Sequence, residues 1–354
     1  MKKIFSLYGL VISLCSGVSH AVVKPDETVI LLPTSGYINA DNQWVIPVHG
    51  WIFEYEYDSL WRKASVNALL SSLQLGDVAL DNELFKNRAW MFLVDNERWK
   101  KIAVTVNGKT FQCNRSKANG HFTGEAKLEA AGALQLQKPA WISYEVVLKS
   151  EDQRRFSGET QLLPPQGVSV VSDIDDTIKD SQVSDKKELL KNTFLKEFRA
   201  VQGMAGLYQQ WQQQGAAFHY LSASPWQLYP SLAEFIRDYE FPRGDFHLRQ
   251  FRIKDSSFYE LFASPFEYKI QTIEGILHNY PQRKFVLVGD STESDPEVYS
   301  YIARKYPNQI IKILIRNATH KNDLQDVESA FSGLDNDLWL IFDEPAELAQ
   351  LQMK

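Results

Sequence analysis

The order of hydrophobic and polar residues divides the chain into two parts with different periodicities. Between residues 28 and 163, apolar segments are short and often alternate with polar residues, which is typical of β-strands. Asn107-Gly108 lies between two such segments and predicts a hairpin turn, whereas residues 60–73 have the apolar spacing of a helix. We therefore predict an all-β, sandwich-like domain over residues 22–163. Its strands are expected at residues 28–32, 44–48, 50–55, 89–94, 102–106, 111–113, 120–128 and 141–148.

Pro164-Pro165-Gln166-Gly167 marks the point where this pattern changes. After it, short apolar segments alternate with longer amphipathic ones, which indicates right-handed strand–helix–strand crossovers and a mostly parallel sheet. We therefore predict an α/β domain over residues 166–354. Its strands are expected at residues 168–171, 217–221, 246–251, 285–288, 310–315 and 338–342, and its helices at residues 187–201, 226–239, 266–279 and 296–305.

The first 21 residues have the pattern of a secretory signal peptide. Lys2 and Lys3 precede an apolar stretch at residues 4–14, and Ser19-His20-Ala21 provides small residues for cleavage after Ala21. The apolar stretch is shorter than the roughly 20 residues that a transmembrane helix needs. We therefore expect export to the periplasm or the medium, and a mature chain without a transmembrane span.

Charge and cysteine content narrow the possible functions. The 354-residue chain has a net charge of −6 and two cysteines. Cleavage after Ala21 would leave 333 residues, a charge of −8 and Cys113 as the remaining thiol, so no internal disulfide is expected. An acidic protein is a poor candidate for binding nucleic acid through its phosphates.

Polar residues that follow the predicted parallel strands are the candidates for chemistry, because ligands bind beyond the carboxyl ends of such strands. Each one alone is explained by ordinary turn and capping roles. Carboxylates after two strands, hydroxyls after a third and a lysine between them together indicate a catalytic site. These residues are Asp173, Asp175, Ser222, Ser224, Lys269, Asp290 and Asp295.

Three segments carry a resemblance to a known family: VSDIDDTIK at 171–179, YLSASPWQLYP at 220–230 and VGDSTESDPEVY at 288–299. They resemble the motifs of the haloacid dehalogenase superfamily and, more narrowly, the catalytic domain of the fungal actin-patch phosphatidate phosphatases. The resemblance is strong over residues 166–320 and weaker at GWIFE (50–54) and NGHF (119–122). Thr292 departs from the family, where glycine is frequent. The resemblance implies a haloacid-dehalogenase-like three-layer domain.

The resemblance implies a role for each candidate, and the roles are chemically consistent. Asp173 would attack phosphorus and form an aspartyl-phosphate intermediate. Asp175 would protonate the leaving group and later accept a proton from water, which requires it to hold a proton part of the time. Ser222 and Lys269 would bind the phosphoryl oxygens.

Magnesium is the expected cofactor, because carboxylate and carbonyl oxygens are its preferred protein ligands. The expected ligands are Asp173, the main-chain carbonyl of Asp175 and Asp290, with Asp295 in support. The histidines show no His-x-Glu or His-x₃-His spacing, which argues against a zinc site. Further candidates are Ser224 and Lys179 for substrate contact, Asp176 and Thr177 for the turn, and Trp226 and Tyr229 for packing.

The spacing of the motifs leaves little room for a cap domain over the site. About 40 residues separate Thr177 from the next strand, and residues 222–269 hold one helix, one strand and an aromatic loop. An open site suits a bulky phosphoester. Together with the resemblance, which implies phosphatidate as substrate, this gives the leading hypothesis of a magnesium-dependent phosphatase that converts phosphatidate at a membrane surface into diacylglycerol and phosphate. One alternative is another exported phospholipid or phosphoprotein phosphatase. The other is a lipid- or partner-binding protein whose β-domain carries the function.

Overall fold

Two β-sheets organise the chain in the computed structural model, one built from residues 27–162 and the other from residues 168–342. The structure describes residues 23–55, 82–130, 136–250, 266–319 and 324–353. The predicted signal peptide, the helical stretch at 60–73 and most of the loop at 251–268 lie outside these ranges. Within the described ranges, no helix is long and apolar enough to cross a membrane.

The first sheet has nine strands and is mixed. Its pairs are antiparallel except β2 with β9, which run parallel. The hairpin between β5 and β6 is confirmed, because Asn107 and Gly108 have φ values of 47° and 73°, as a tight hairpin turn requires. The strands are β1 (Glu27–Leu32), β2 (Thr34–Ile38), β3 (Gln43–Glu54), β4 (Asp95–Asn96), β5 (Ala103–Val106), β6 (Lys109–Gln112), β7 (His121–Glu129), β8 (Ala140–Val146) and β9 (Ser157–Leu162).

The strand predicted at residues 89–94 is wrong, because this region holds helix α1 (Glu83–Trp90) and a turn. The side chain of Asn82 accepts a hydrogen bond from the amide of Phe85, which caps the helix. Phe85 and Ala89 pack into a core shared with the second sheet. The first part of the chain is therefore not all-β, and its helix is stabilised by contacts that local sequence does not reveal.

The second sheet has six parallel strands in the order β12-β11-β10-β13-β14-β15. The chain adds strands on one side of β10 and then on the other, so the ends of β10 and β13 flank the point where the strand order reverses. The predicted α/β arrangement with a parallel sheet is confirmed, whereas the domain limits stay predictions. The strands are β10 (Val168–Asp173), β11 (Ala217–Pro225), β12 (Asp245–Arg249), β13 (Lys284–Asp290), β14 (Ile310–Arg316) and β15 (Trp339–Phe342).

Helices cover both faces of this sheet. Val170 packs against α3 and α4, and its neighbour Val171 packs against α5 and α6, because successive side chains of a strand point to opposite faces. Burial on both faces explains why these strands are almost continuously apolar. The helix predicted at 187–201 is shorter in the structure, where it ends at Phe194. The helices are α2 (Lys186–Phe194), α3 (Met204–Gln213), α4 (Tyr229–Asp238), α5 (Phe266–Asn279), α6 (Asp295–Lys305) and α7 (Gln325–Ala330).

A buried arginine holds the junction between the two sheets. The guanidinium of Arg283 donates to the carbonyls of Pro164, Gln166 and Val168 at 2.7–2.8 Å and to the hydroxyl of Ser169 at 3.0 Å. Arg283 is only 1% exposed, so these bonds replace water on both partners. The start of β10 is therefore fixed before the strand reaches its functional end.

We expect Arg283→Met to lower the free energy of unfolding by about 3 kcal/mol, because buried carbonyls would lose their donors. Arg155→Met is the control, since the Arg155 side chain is 79% exposed and its ion pair with Glu145 is 3.6 Å long. The control should change stability by no more than about 0.5 kcal/mol. Equal effects of the two substitutions in urea denaturation would contradict a structural role for Arg283.

Candidate functional site

Asp173 is the last residue of β10, and the turn after it is held by its own side chains. Oδ2 of Asp173 accepts a hydrogen bond from the Thr177 hydroxyl at 3.1 Å. Asp176 has a φ of 55°, in the left-handed region, and its carboxylate accepts bonds from the amides of Ser181 and Gln182, both at 2.8 Å. Asp176 and Thr177 therefore shape the turn that presents Asp173 and the residues after it.

Asp175 lies in a pocket of hydroxyl groups and one ammonium group. Its Oδ2 accepts from the hydroxyls of Ser222 at 2.9 Å and Ser224 at 3.1 Å, at the end of β11. Its Oδ1 accepts from the hydroxyl of Ser181 at 2.8 Å and pairs with Nζ of Lys179 at 2.7 Å. All five side chains are buried. The structure thus brings together four residues predicted from the sequence and adds Ser181.

The electrostatic setting of Asp175 is opposite to the one expected. Burial raises its pKa, but the Lys179 ammonium and hydrogen bonds from Ser181 and Ser222 outweigh burial, so the pKa of Asp175 lies below its ordinary value. Without substrate, these contacts therefore favour the ionised carboxylate, and the expectation that Asp175 holds a proton part of the time stays a prediction. Sequence could not reveal this, because the reason is the ion pair with Lys179.

Lys269 lies at the centre of a second group of charges. Its Nζ is 2.9 Å from Oδ1 of Asp173, 2.5 Å from Oδ1 of Asp295 and 2.8 Å from Oε2 of Glu293. Lys269 itself is fully buried in the first turn of α5. Glu293 was not predicted from the sequence, although it lies inside the motif at 288–299; its place between two predicted site residues was the available signal.

Asp290 ends β13 beside this group. Its Oδ1 accepts from the amide of Thr292 at 2.6 Å and from the Thr292 hydroxyl, whereas its buried Oδ2 has no hydrogen-bond partner among the described residues. Glycine at position 289 permits the arrangement, because a Cβ there would lie 2.3 Å from Oδ2 of Asp295. Oδ2 of Asp290 is therefore an acceptor in need of a positively charged or donating partner.

Among the described residues, negative charge exceeds positive charge in this region, which contains the carboxyl groups of Asp173, Asp290, Glu293 and Asp295 and one ammonium group, that of Lys269. Burial, reinforced by neighbouring carboxylates, raises the pKa values of Asp173, Asp290 and Glu293. Carboxylate oxygens of Asp173, Glu293 and Asp295 lie within 4.8 Å of one another. This donor set and the unpartnered oxygen of Asp290 fit a divalent cation that prefers oxygen ligands.

Side chains of the first sheet pack against the segment that follows Ser224. The ring of Trp226 is 4.8 Å from that of His49 and 6.1 Å from that of His121. Nε2 of His49 is 3.0 Å from Nδ1 of His121, and Trp51 stacks on His121. Trp226 is therefore a packing residue. His121, in the weaker motif at 119–122, contacts it directly, and Trp51, in the weaker motif at 50–54, supports His121. Tyr229 also packs, with its ring 5.2 Å from that of Phe246.

The part of the chain that holds the candidate site is similar to a known family. Residues 168–317 match the model of the family described as "Phosphatidate phosphatase APP1, catalytic domain". This segment is therefore similar to that catalytic-domain family. The resemblance inferred from the three motifs is therefore confirmed, and the family is one of phosphatase hydrolases.

Two yeast proteins are similar to the same part of the chain. The phosphatidate phosphatase APP1 of Saccharomyces cerevisiae is 36% identical over 169 residues, which cover 47% of this chain and 28% of the relative. An uncharacterized protein of Schizosaccharomyces pombe is 30% identical over 202 residues, which cover 54% and 31%. The chain thus spans about three tenths of the length of these relatives. A class C acid phosphatase from Bacillus anthracis has 13% identity, covers 52% of this chain and 70% of its own, and gives a TM-score of 0.30.

The lowered pKa of His49, which packs against Trp226, predicts how the stability of the protein depends on pH. Burial, with smaller effects from His247 and Lys117, lowers the pKa of His49 from 6.5 to about 4. Between these values the unfolded chain binds a proton that the folded protein excludes, so stability falls as pH drops from 7 to 4.5. We expect His49 to account for about 2 kcal/mol of this loss.

Urea denaturation at several pH values measures this effect. His49→Gln should reduce the acid-induced loss of stability by that amount, whereas His278→Gln, at an exposed position near the end of α5, should leave it unchanged. Identical pH dependence in the wild type and His49→Gln would show that His49 is not held neutral by its contacts.

Proposed function

We propose that the chain is a magnesium-dependent phosphatase that forms an aspartyl-phosphate intermediate and converts phosphatidate into diacylglycerol and phosphate. The observation that carries this proposal is the convergence around Asp173 of residues from separate elements: Asp175, Ser222, Lys269 and Asp290. This convergence lies within the segment that matches a phosphatidate phosphatase catalytic domain. The full activity is a proposal because the chain covers less than a third of the named relative.

The proposal includes a haloacid-dehalogenase-like three-layer domain over residues 166–354 without a large cap. Helices on both faces of the parallel sheet support it. The connection from β10 to β11 contains α2 and α3, and the connection from β11 to α5 contains α4, β12 and residues 251–265. The lengths of these segments are too small for a large cap domain, and the proposal is that a substrate binds at the edge of the sheet with its bulk outside.

Asp173 is the proposed nucleophile. Its carboxylate lies at the end of β10, with Oδ1 held by Lys269 and Oδ2 by Thr177. Attack on phosphorus would form the bond from a carboxylate oxygen and release the alkoxide of diacylglycerol. Lys269 would then bind a phosphoryl oxygen where negative charge persists in the transition state.

Asp175 is the proposed acid and base, and Lys179 controls its proton. The ionised carboxylate suits the second step, in which water loses a proton and attacks the aspartyl phosphate. In the first step Asp175 must donate a proton, so its ion pair with Lys179 has to weaken. A substrate phosphate that attracts the Lys179 ammonium would have this effect. Ser222 and Ser224, which contact the same carboxylate, would bind substrate oxygens.

Magnesium would be held by Asp173, Asp290 and the main-chain carbonyl of Asp175, with Asp295 and Glu293 in support. When bound, the ion would offset the repulsion between a phosphate ester and an anionic nucleophile. The buried Oδ2 of Asp290, without a partner among the described residues, supports this assignment. Lys269 orients Asp173 and Asp295, so both carboxylates are positioned from the protein side.

The proposed setting is outside the cytoplasm, following the signal-peptide pattern of the first 21 residues. The first sheet would support the catalytic part through its contacts with Trp226. Phosphorylated proteins or other phospholipids remain alternative substrates of the same site. In the remaining alternative, the first sheet binds a lipid or a partner, and the carboxylates around Lys269 have no catalytic role.

Phosphate release from phosphatidate in mixed micelles, with and without Mg²⁺, tests the proposal. Asp173→Asn should lower the rate at least about a thousandfold, because an amide cannot replace the nucleophile. Asp180→Asn is the matched control, since Asp180 lies seven residues away and is exposed. The control should retain wild-type activity.

The same assay separates the alternatives. Faster turnover of a phosphopeptide or of another phospholipid than of phosphatidate would keep the mechanism and change the substrate. Full activity in Asp173→Asn, or in the presence of EDTA, would contradict the mechanism. No phosphate release from any of these substrates, together with binding to phosphatidate vesicles, would favour the lipid-binding alternative.

A further inference from the structure

A second group of side chains that could bind a metal lies on β11 and β12, at one side of the parallel sheet. His219 is the third residue of β11, and Asp245 and His247 are on the neighbouring strand β12. In the parallel register, His219 lies directly beside Asp245. Residues two apart on a strand point to the same face, so the side chains of Asp245 and His247 share the face of β12. The strand geometry thus collects residues that are far apart in the sequence.

The distances within this group are short. Nδ1 of His219 is 2.7 Å from Oδ1 of Asp245, and Nε2 of His247 is 3.0 Å from Oδ2 of the same carboxylate. One ligand atom from each side chain lies within 4.8 Å of the other two. His219 and Asp245 are buried, whereas the His247 side chain is 27% exposed. The group is therefore closed on the core side and open toward solvent at His247.

Charge balance points to a cation in this group. Asp245 is 3% exposed, and its ion-pair partners among the described residues are His219 and His247 alone. A buried carboxylate requires a compensating positive charge. Neutral imidazoles do not supply one, so either a histidine carries a proton or a metal ion lies between the three side chains.

The surroundings of His219 fix the ring in an orientation suited to a metal ligand. Its Nε2 is 3.2 Å from the hydroxyl of Ser169, which also accepts a bond from Nε of Arg283 at 3.0 Å. When Nε2 donates its proton to Ser169, Nδ1 directs a lone pair toward the carboxylate of Asp245. In this tautomer a cation between Nδ1 and the carboxylate satisfies both groups, whereas in the other tautomer the 2.7 Å contact is a direct hydrogen bond from Nδ1 to Asp245. An outer hydrogen bond from the second ring nitrogen is typical of metal-bound histidines.

We infer that His219, Asp245 and His247 form a second metal site, of the type that binds zinc. Two imidazole nitrogens and one carboxylate oxygen suit Zn²⁺, and a fourth position would face solvent beside His247. The histidine spacings that argued against zinc apply to ligands on one segment, whereas here the third ligand comes from the adjacent strand. The ion would cross-link β11 to β12, three residues before Ser222.

This site is chemically distinct from the carboxylate group around Lys269, which offers oxygen ligands only. Magnesium prefers the oxygen ligands, and zinc prefers the imidazoles. The inference does not depend on the proposed phosphatase activity, because it rests on a different group of residues.

Zinc binding by the full chain tests the inference. The metal-free protein is titrated with Zn²⁺ in excess Mg²⁺, which occupies the oxygen-ligand group, and the zinc-loaded protein is studied by X-ray absorption. We expect one equivalent of tightly bound zinc with imidazole scattering at about 2.0 Å. His247→Ala and Asp245→Asn should each weaken binding at least about tenfold. His278→Gln, which removes an exposed histidine, should not change binding.

Circular dichroism and thermal unfolding show whether each variant is folded, and His247→Ala is the safer of the two because its side chain is partly exposed. Absence of tight zinc binding by the folded wild-type protein would overturn the inference and leave a hydrogen-bonded His–Asp–His group. Zinc binding without imidazole scattering, or with wild-type affinity in folded His247→Ala, would also overturn it, because the ion would then lie elsewhere.

Discussion

The burial of several carboxyl groups around one ammonium group is the constraint on which the candidate site depends. Asp173, Asp290, Glu293 and Asp295 meet at the carboxyl edge of the parallel sheet, and in the described part of the chain the ammonium of Lys269 pairs with three of them. Such an arrangement is costly unless hydrogen bonds and a further positive charge complete it. The left-handed turn at Asp176, glycine at position 289 and the fixed start of β10 all serve to hold these groups close together.

The position of the site could be predicted from the sequence because it follows from periodicity. Apolar runs identified the strands of the parallel sheet, and the residues immediately after them had to lie along one edge. Asp173, Asp175, Ser222 and Asp290 were predicted in this way, without any structure, whereas Lys269 was predicted from its place in the order of the motifs, near the start of the helix before the fourth strand. Both ends of the helix at 266–279 were predicted correctly, because the apolar residues that indicate a helix in the sequence are the ones that it buries in the structure.

Features that depend on contacts between distant segments could not be predicted. Helix α1 was taken for a strand because its apolar residues face a core supplied by the second sheet. The lowered pKa of Asp175 follows from a buried ion pair with Lys179, which the sequence suggested only as a substrate contact. The group of His219, Asp245 and His247 escaped notice because its spacing exists only across two paired strands.

Thermal unfolding of the metal-free full chain during titration with Mg²⁺ tests the central claim most directly, because it detects the cation without assuming a substrate. If the buried carboxylates hold the ion, stability should rise and saturate, by about 2.7 kcal/mol at 100 times the dissociation constant. Asp290→Asn, which alters the unpartnered oxygen, should abolish most of this rise. An unfolding temperature that does not respond to Mg²⁺, or that responds equally in Asp290→Asn, would contradict the account.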